Sequence, residues 1–197
     1  GVVLSATSCL DWAAGLTGRS AAELAEAADA LWKDRRVHTA PVFLPYVNGI
    51  RSPHDMPEAR GLMMGLDLGT DIAMIGWSVL EGIAFHIVEG FRAQRDAGIA
   101  ANHLQFIGGG SRSCLWGEMI SALTGLPMDL PAGREVGASL GAARLARVAA
   151  GDGDLVETLC RKPAPETRIE PDPGLAEALE SRYRRFCDVF SRNADIL

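Results

Sequence analysis

The run Gly108-Gly109-Gly110-Ser111-Arg112-Ser113-Cys114 is the stretch of this chain with residue types and spacing suited to holding a ligand. Before it, Leu104 to Ile107 is a short apolar run that predicts a buried strand. After it, Ser113 opens a periodic segment, Leu115, Trp116, Met119, Ile120 and Leu123, that predicts an amphipathic helix. Glycine has no Cβ, so it accepts positive φ and lets a flat ring or a phosphate lie against the main chain. A helix start adds unpaired N–H groups and a partial positive charge. Strand, glycine turn and helix together offer a seat for a nucleotide, with Gly108, Gly109, Gly110, Ser111, Ser113 and Cys114 as candidate binding residues. A tight strand-to-helix turn with no ligand needs the same glycines, so this pattern alone leaves both readings open.

Other titratable residues have plainer explanations. Arg51 and His54 close the run Pro41 to His54, where proline recurs too often for a helix or a central strand. They could face a ligand, but hydrogen bonds that tie the loop down are the preferred reading. Glu81 and His86 fall inside the most apolar stretch of the chain. A satisfied structural pair, or a bond to backbone, is preferred there over catalysis.

The elements that must position these residues follow from caps and periodicity. Ser8 to Leu16 predicts a helix ended by Thr17-Gly18. Ser20 caps a second helix, Ala21 to Leu31, with Glu23 placed for a capping box. Lys33 to Thr39 reads as a polar connector, and Gly61 to Leu66 as a short strand. Thr70 is the expected cap of the longest helix, Asp71 to Ala97, ended by Gly98. Ile72, Ile75, Val79, Ile83, Ile87 and Phe91 recur at helical spacing, and Leu80, Ala84 and Val88 widen the stripe, so this helix should be mostly buried. Met128 to Leu130 is a short strand. Val136 to Leu145 is a helix whose small residues, Gly137, Ala138, Gly141 and Ala142, share a face. That face should sit close to a neighbouring element or to a ligand edge. Asp152 to Pro173 reads as a polar link, and Leu175 to Phe190 as a last helix.

Composition bounds the function classes. At 197 residues the chain is one large domain, or a domain with appendages, and 48% hydrophobic residues can build a sizeable core. The net charge of −6, with both signs mixed throughout, argues against nucleic acid or an anionic membrane as partner. Cys9, Cys114, Cys160 and Cys187 are far apart, which argues against a zinc site or a redox pair and for reduced thiols in a cytoplasmic protein. Charged Glu81 in mid-span argues against a membrane helix at Ile72 to Val88. The opening Gly1-Val2-Val3-Leu4 has no basic segment of a signal peptide, and a start without methionine suggests a cut or processed piece.

In this order, these pieces resemble the FGGY carbohydrate kinases of the xylulokinase type. Phe43-Leu44-Pro45-Tyr46 with Gly49, Arg51, Pro53, Pro57 and Gly61 is similar to their FLPYL-x-G-E-R-x-P…P…G run. Gly61, Met63, Gly65 and Leu66, then Ile75 and Ser78-Val79-Leu80-Glu81, resemble the family's second signature. Gly108 to Ser113 with Trp116 resembles its adenosine turn, and Gly137 to Ala143 its closing G-x-A-L-G-A-A helix. Leu4-Ser5-Ala6 to Asp11-Trp12 looks like the segment that opens this half of the family. Ile50 replaces the usual glutamate, and Met74 a usual polar residue.

The resemblance implies an α/β fold: an actin-like, ribonuclease-H-like ATPase domain with a mixed sheet flanked by helices, incomplete at its amino-terminal end. It implies an adenosine-binding carboxy-terminal domain over residues 1–153, with residues 154–197 as a linker and helix packed on the same domain. It implies ATP and Mg²⁺, and phosphorylation of a sugar, D-xylulose to D-xylulose 5-phosphate. ATP or ADP would bind here, while the pentulose, the catalytic aspartate and the phosphate hairpin would belong to an amino-terminal domain. The piece would be inactive alone, and a homodimer is compatible with the family. The end of the glycine turn would lie against adenine or ribose, so a side chain at Gly110 would intrude on the ring, with added strain if φ there is positive. Cys114 follows one helical turn later. Two alternatives remain from the sequence. Gly108-x-Gly110-x-x-Ser113 with Asp129 partly fits the dinucleotide fingerprint of an NAD-dependent oxidoreductase. A non-catalytic actin-like module, used for assembly, would bind no nucleotide.

Overall fold

An apolar stripe as wide as that of residues 72–91 leaves a helix no solvent face over much of its length. In the computed structural model, which describes residues 1–151 and 164–197, that helix is α3, Ile72–Asp96. Trp77, Val79, Leu80, Ile83, Ala84, Phe85 and Val88 are fully buried within it. It has the length and hydropathy of a membrane span, but it is the core helix here, with 72% of its most apolar window inside the protein.

Five elements pack on α3: α1 (Thr7–Thr17), α2 (Ala21–Lys33), β1 (Val42–Leu44), α4 (Cys114–Thr124) and the last helix, α6 (Pro173–Asn193). Two glycines of α3 set the approach distance. A Cβ at Gly76 would stand 2.4 Å from the Leu24 carbonyl oxygen of α2, and one at Gly82 2.3 Å from the Phe43 carbonyl oxygen of β1. Neither neighbour is a side chain that could swing away, so α2 and β1 depend on bare backbone at these two positions.

The strands form two small sheets. β1 pairs antiparallel with β2 (Leu62–Met64). β3 (Leu104–Gln105) pairs parallel with β4 (Met128–Pro131), which pairs antiparallel with β5 (Pro165–Ile169), so this sheet is mixed. β5 lies in the stretch expected to be a link. Its Glu166 and Arg168 and its exposed outer position conceal it from a search for apolar alternation. The part of that link from 152 to 163 lies outside the described residues. β3 is shorter and more exposed than expected. It pairs with β4 alone among the described residues, and Ile107 is 54% exposed.

The caps follow local chemistry. Ser20 and Glu23 form the expected capping box. The cap of α3 is Asp71 rather than Thr70: the Asp71 carboxylate accepts from the Met74 N–H at 2.9 Å, and that bond holds its carboxyl below the usual range. Thr70 instead closes a turn, accepting from the Asp67 N–H at 3.0 Å and donating to the Asp67 carboxylate at 3.1 Å. Asp172 caps α6, whose first residue is Pro173. The loop 45–57 is tied down as expected. His54 Nε2 lies 3.0 Å from Glu89 Oε1, Arg51 donates to Asp55 at 2.6 Å, and His86 Nε2 meets the Ser52 carbonyl at 2.8 Å. Burial pushes the His86 imidazole toward its neutral form. Ile50, at the position of the usual glutamate, is buried, with its backbone paired to Met56.

The small-residue helix departs from expectation. It forms as α5, Gly137–Ala149, but none of its residues is buried, and Leu145 is 68% exposed. At Gly137 a Cβ would lie 3.6 Å from the Ile107 side chain, and the helix contacts the short turn Arg134–Val136 that precedes it.

Among the described residues, the ion pair with both partners buried is Glu81 with Arg182. Arg182 donates to Glu81 at 2.5 and 2.7 Å, and the Trp77 indole N–H adds a third donor at 2.9 Å. Arg182 also reaches the Pro41 carbonyl at 3.2 Å, and Ser78 donates to the same oxygen at 2.7 Å. Burial raises the Glu81 carboxyl, opposed by the pull of Arg182 and Trp77. Removing one partner strands the other charge in the core. Glu81→Gln or Arg182→Met alone should cost about 3–5 kcal/mol in urea unfolding, and the double change Glu81→Leu with Arg182→Met should recover most of that loss.

Candidate functional site

The glycine turn is organised by Gly108. Its φ of 85° places it in the left-handed region, and nothing lies within 4 Å of where its Cβ would be. Its N–H donates to the Arg134 carbonyl at 2.7 Å, and its own carbonyl accepts from the Ser111 N–H at 3.1 Å and the Ser111 hydroxyl at 2.7 Å. Gly109 to Arg112 then make one 3-10 turn. Ser113 ends it and caps α4, its hydroxyl accepting from the Trp116 N–H at 3.3 Å. Trp116 is buried edge-on against Phe106, with ring centres 5.7 Å apart.

The turn, α1, α2 and the first turn of α4 enclose a cleft of about 620 Å³. That volume suits a small-molecule site. Its apolar walls come from Leu10 of α1, from Ala21, Ala22 and Ala25 of α2, and from Leu115. Among the described residues its charged lining is Asp11, Glu26, Asp29 and Glu118 with the cation Arg112, and Asp29 is paired with Lys33. Burial, helped by Asp29 and Asp172, raises the Glu118 carboxyl. An acidic rim with alanine walls suits a flat, uncharged group with hydrogen-bond donors, and disfavours phosphate on its α1–α2 side.

Of the six candidate residues, Gly109, Gly110, Ser113 and Cys114 line this cleft. Gly108 and Ser111 do not; they shape the turn from behind, and Ser111 is fully buried. The positive φ of the turn is at Gly108, not Gly110, and a Cβ at Gly110 would stand 2.5 Å from Trp116 Cζ3. The absence of a side chain there serves the tryptophan beneath the turn. Sequence reasoning missed the α1 and α2 walls. The available signal was the alanine run of α2, which leaves room on the outward side of the helix.

The dinucleotide alternative loses its key residue. Asp129 is buried, accepts from Arg168 at 2.6 and 2.9 Å, and does not line the cleft. The arginine holds its carboxyl below the usual range, and both oxygens are already engaged.

The FGGY family of carbohydrate kinases, C-terminal domain, matches residues 3–150. The chain belongs to this family. It is similar to the xylulose kinase of Escherichia coli K12, 36% identical over 97% of this chain and 39% of that protein. It is similar to the xylulose kinase of Klebsiella pneumoniae, at 37% identity over 97% of this chain and 39% of that protein. The crystal structure of a xyloylose kinase from Brucella ovis superposes with a TM-score of 0.82 at 32% identity, covering 100% of this chain and 40% of that one. The chain thus spans about two-fifths of the length of these relatives. The fold is that of the actin-like, ribonuclease-H-like sugar kinases, a mixed sheet flanked by helices.

The two glycines separate backbone strain from packing. Gly108→Ala should cost about 1 kcal/mol in a thermal melt, since only its φ is violated. Gly110→Val should cost about 1–3 kcal/mol by overpacking against Trp116. Trp116→Leu should offset part of the Gly110→Val loss, so the double variant should melt above the sum of the two single effects.

Proposed function

We propose that the chain is the nucleotide-binding part of a sugar kinase that transfers the γ-phosphate of ATP to D-xylulose, giving D-xylulose 5-phosphate. The observation that carries this reading is the cleft beside the glycine turn, in a chain whose relatives include xylulose kinases over nearly its whole length. The adenosine of ATP sits in the cleft, with its ring near Gly109, Gly110 and Cys114 and its donors toward the carboxylates. Ser113 fixes the start of α4, and Gly108 and Ser111 fix the shape of the turn. In phosphoryl transfer much of the catalysis is positioning, and holding the nucleoside supplies part of it.

The Mg²⁺ that accompanies ATP in such reactions finds no group of three His, Cys, Asp or Glu ligands among the described residues. No step is therefore assigned to metal-binding side chains of this chain. No carboxylate of the cleft lining is assigned as the base for the sugar hydroxyl. The pentulose and its general base belong to the remainder of a full-length kinase.

Two outcomes test this reading. The purified chain should not phosphorylate xylulose above background in a coupled assay, and turnover by the chain alone would refute the division of labour. Alkylation of Cys114, followed by peptide mass spectrometry, should slow on addition of ATP. Cys9 is buried and serves as the unreactive control. Its thiol pKa is pushed up to about 12. Equal labelling of Cys114 with and without saturating ATP would remove the nucleotide from this cleft.

A further inference from the structure

Arg112 stands out once the cleft is described by charge. It is the only cation among the described residues that line it, facing Asp11, Glu26, Asp29 and Glu118. Its backbone belongs to the turn, so its position is fixed by the same bonds that hold Gly108 and Ser111. Its guanidinium is 70% exposed and donates to Glu135 at 3.1 Å. Glu135 is 51% exposed and sits in the short turn before α5. That turn is bound to the glycine turn in two other ways, through Gly108 N–H to the Arg134 carbonyl at 2.7 Å and Arg134 Nε to the Ser111 carbonyl at 3.4 Å. The Arg112–Glu135 pair can therefore open without releasing the two turns from each other.

We propose that Arg112 binds the first phosphate of the nucleotide and that Glu135 holds the guanidinium in place until the phosphate takes over. The inference rests on the nucleotide reading of the cleft. A nucleoside in a cleft of this volume brings its 5′ substituent to the rim. Asp29 is already paired with Lys33; Asp11, Glu26 and Glu118 repel a phosphate on their side, and the turn side carries the cation of the described lining. A guanidinium forks onto two phosphate oxygens as readily as onto a carboxylate, so Glu135 occupies it in the same geometry. An exposed pair of this kind is weak, and a nucleotide phosphate displaces it at little cost. Only the phosphate bonded to the ribose is within reach of a residue on the rim, so added β- and γ-phosphates change little.

The experiment is calorimetric titration of the chain with adenosine, AMP, ADP and ATP at two salt concentrations, with a thermal melt of each variant. AMP should bind about tenfold tighter than adenosine, consistent with one charge-assisted contact, and ADP and ATP should match AMP. Arg112→Ala should bring AMP down to the affinity of adenosine while adenosine itself is unchanged. Arg112→Lys should keep part of the gain. Glu135→Gln should tighten AMP and leave adenosine alone. Added salt should weaken AMP and spare adenosine, which a purely structural role for Arg112 would not produce. Adenosine bound as tightly as AMP, or an Arg112→Ala variant that weakens both alike, overturns the proposal while the nucleoside site stands. No adenosine binding at all would overturn the nucleotide reading and this inference with it.

Discussion

A single carboxylate in the middle of the core helix constrains this fold more than any apolar contact. Glu81 is almost fully buried on α3, where an unpaired charge would cost far more than the protein could spare. Its partner, Arg182, is 101 residues further along the chain. Satisfying Glu81 therefore fixes how α6 lies against α3. The spare N–H of Arg182 goes to the Pro41 carbonyl at the head of β1, which Ser78 also engages. Three elements distant in sequence are brought to one point by one charge. Replacing such a pair with apolar residues would often leave a protein equally stable. What the pair adds is directional: it accepts one rotation of α6 about its axis, where a greasy stripe would accept several.

The cleft inherits that fixed platform. Its walls, α1, α2 and α4, all pack on α3, and α2 comes within carbonyl contact of Gly76. α2 buries Leu24, Ala28 and Leu31 and turns Ala21, Ala22 and Ala25 toward the cleft. Helix propensity and room for a ligand are served by the same alanines. On the other wall, the turn is held by a backbone bond from Gly108 to Arg134 and by the Ser113 side-chain cap.

Local codes were legible in the sequence and distant partners were not. The capping box at Ser20, the glycine end at Gly18, the stripe of α3 and the strand–turn–helix unit all depend on residues within one or two turns of each other. Family motifs carried the fold class for the same reason, since they preserve such local units in order. β5 was missed because an exposed edge strand needs no apolar alternation, only backbone pairing with β4. Thr70 and Asp71 are equally good caps on paper, and the choice was settled by an Asp67 turn that needs the Thr70 hydroxyl. At Gly108 and Gly110, composition says that glycine is required but not why. One has positive φ with space around it, and the other has an indole beneath it. α5 shows the converse, a face patterned for close packing on a helix with no buried residue.

The charge pattern of the cleft bears on what such a site can contribute to catalysis. At an effective dielectric constant near 20, one carboxylate about 4 Å from a phosphate charge costs roughly 4 kcal/mol, enough to decide which end of a nucleotide enters. Under the proposed reading, the carboxylates of the rim would admit the neutral nucleoside and leave its phosphates toward the Arg112 side. Under the proposed reading, the groups touched here are the same in the ground state and in the transition state, because no bond to adenosine changes. Uniform binding of that kind raises affinity for ATP without lowering the barrier from bound substrate. Groups that act on the transferring phosphate have to meet it where its charge moves, away from an acidic cleft. An acidic rim that, under the proposed reading, favours a neutral nucleoside is a poor place to stabilise a phosphoryl group in flight.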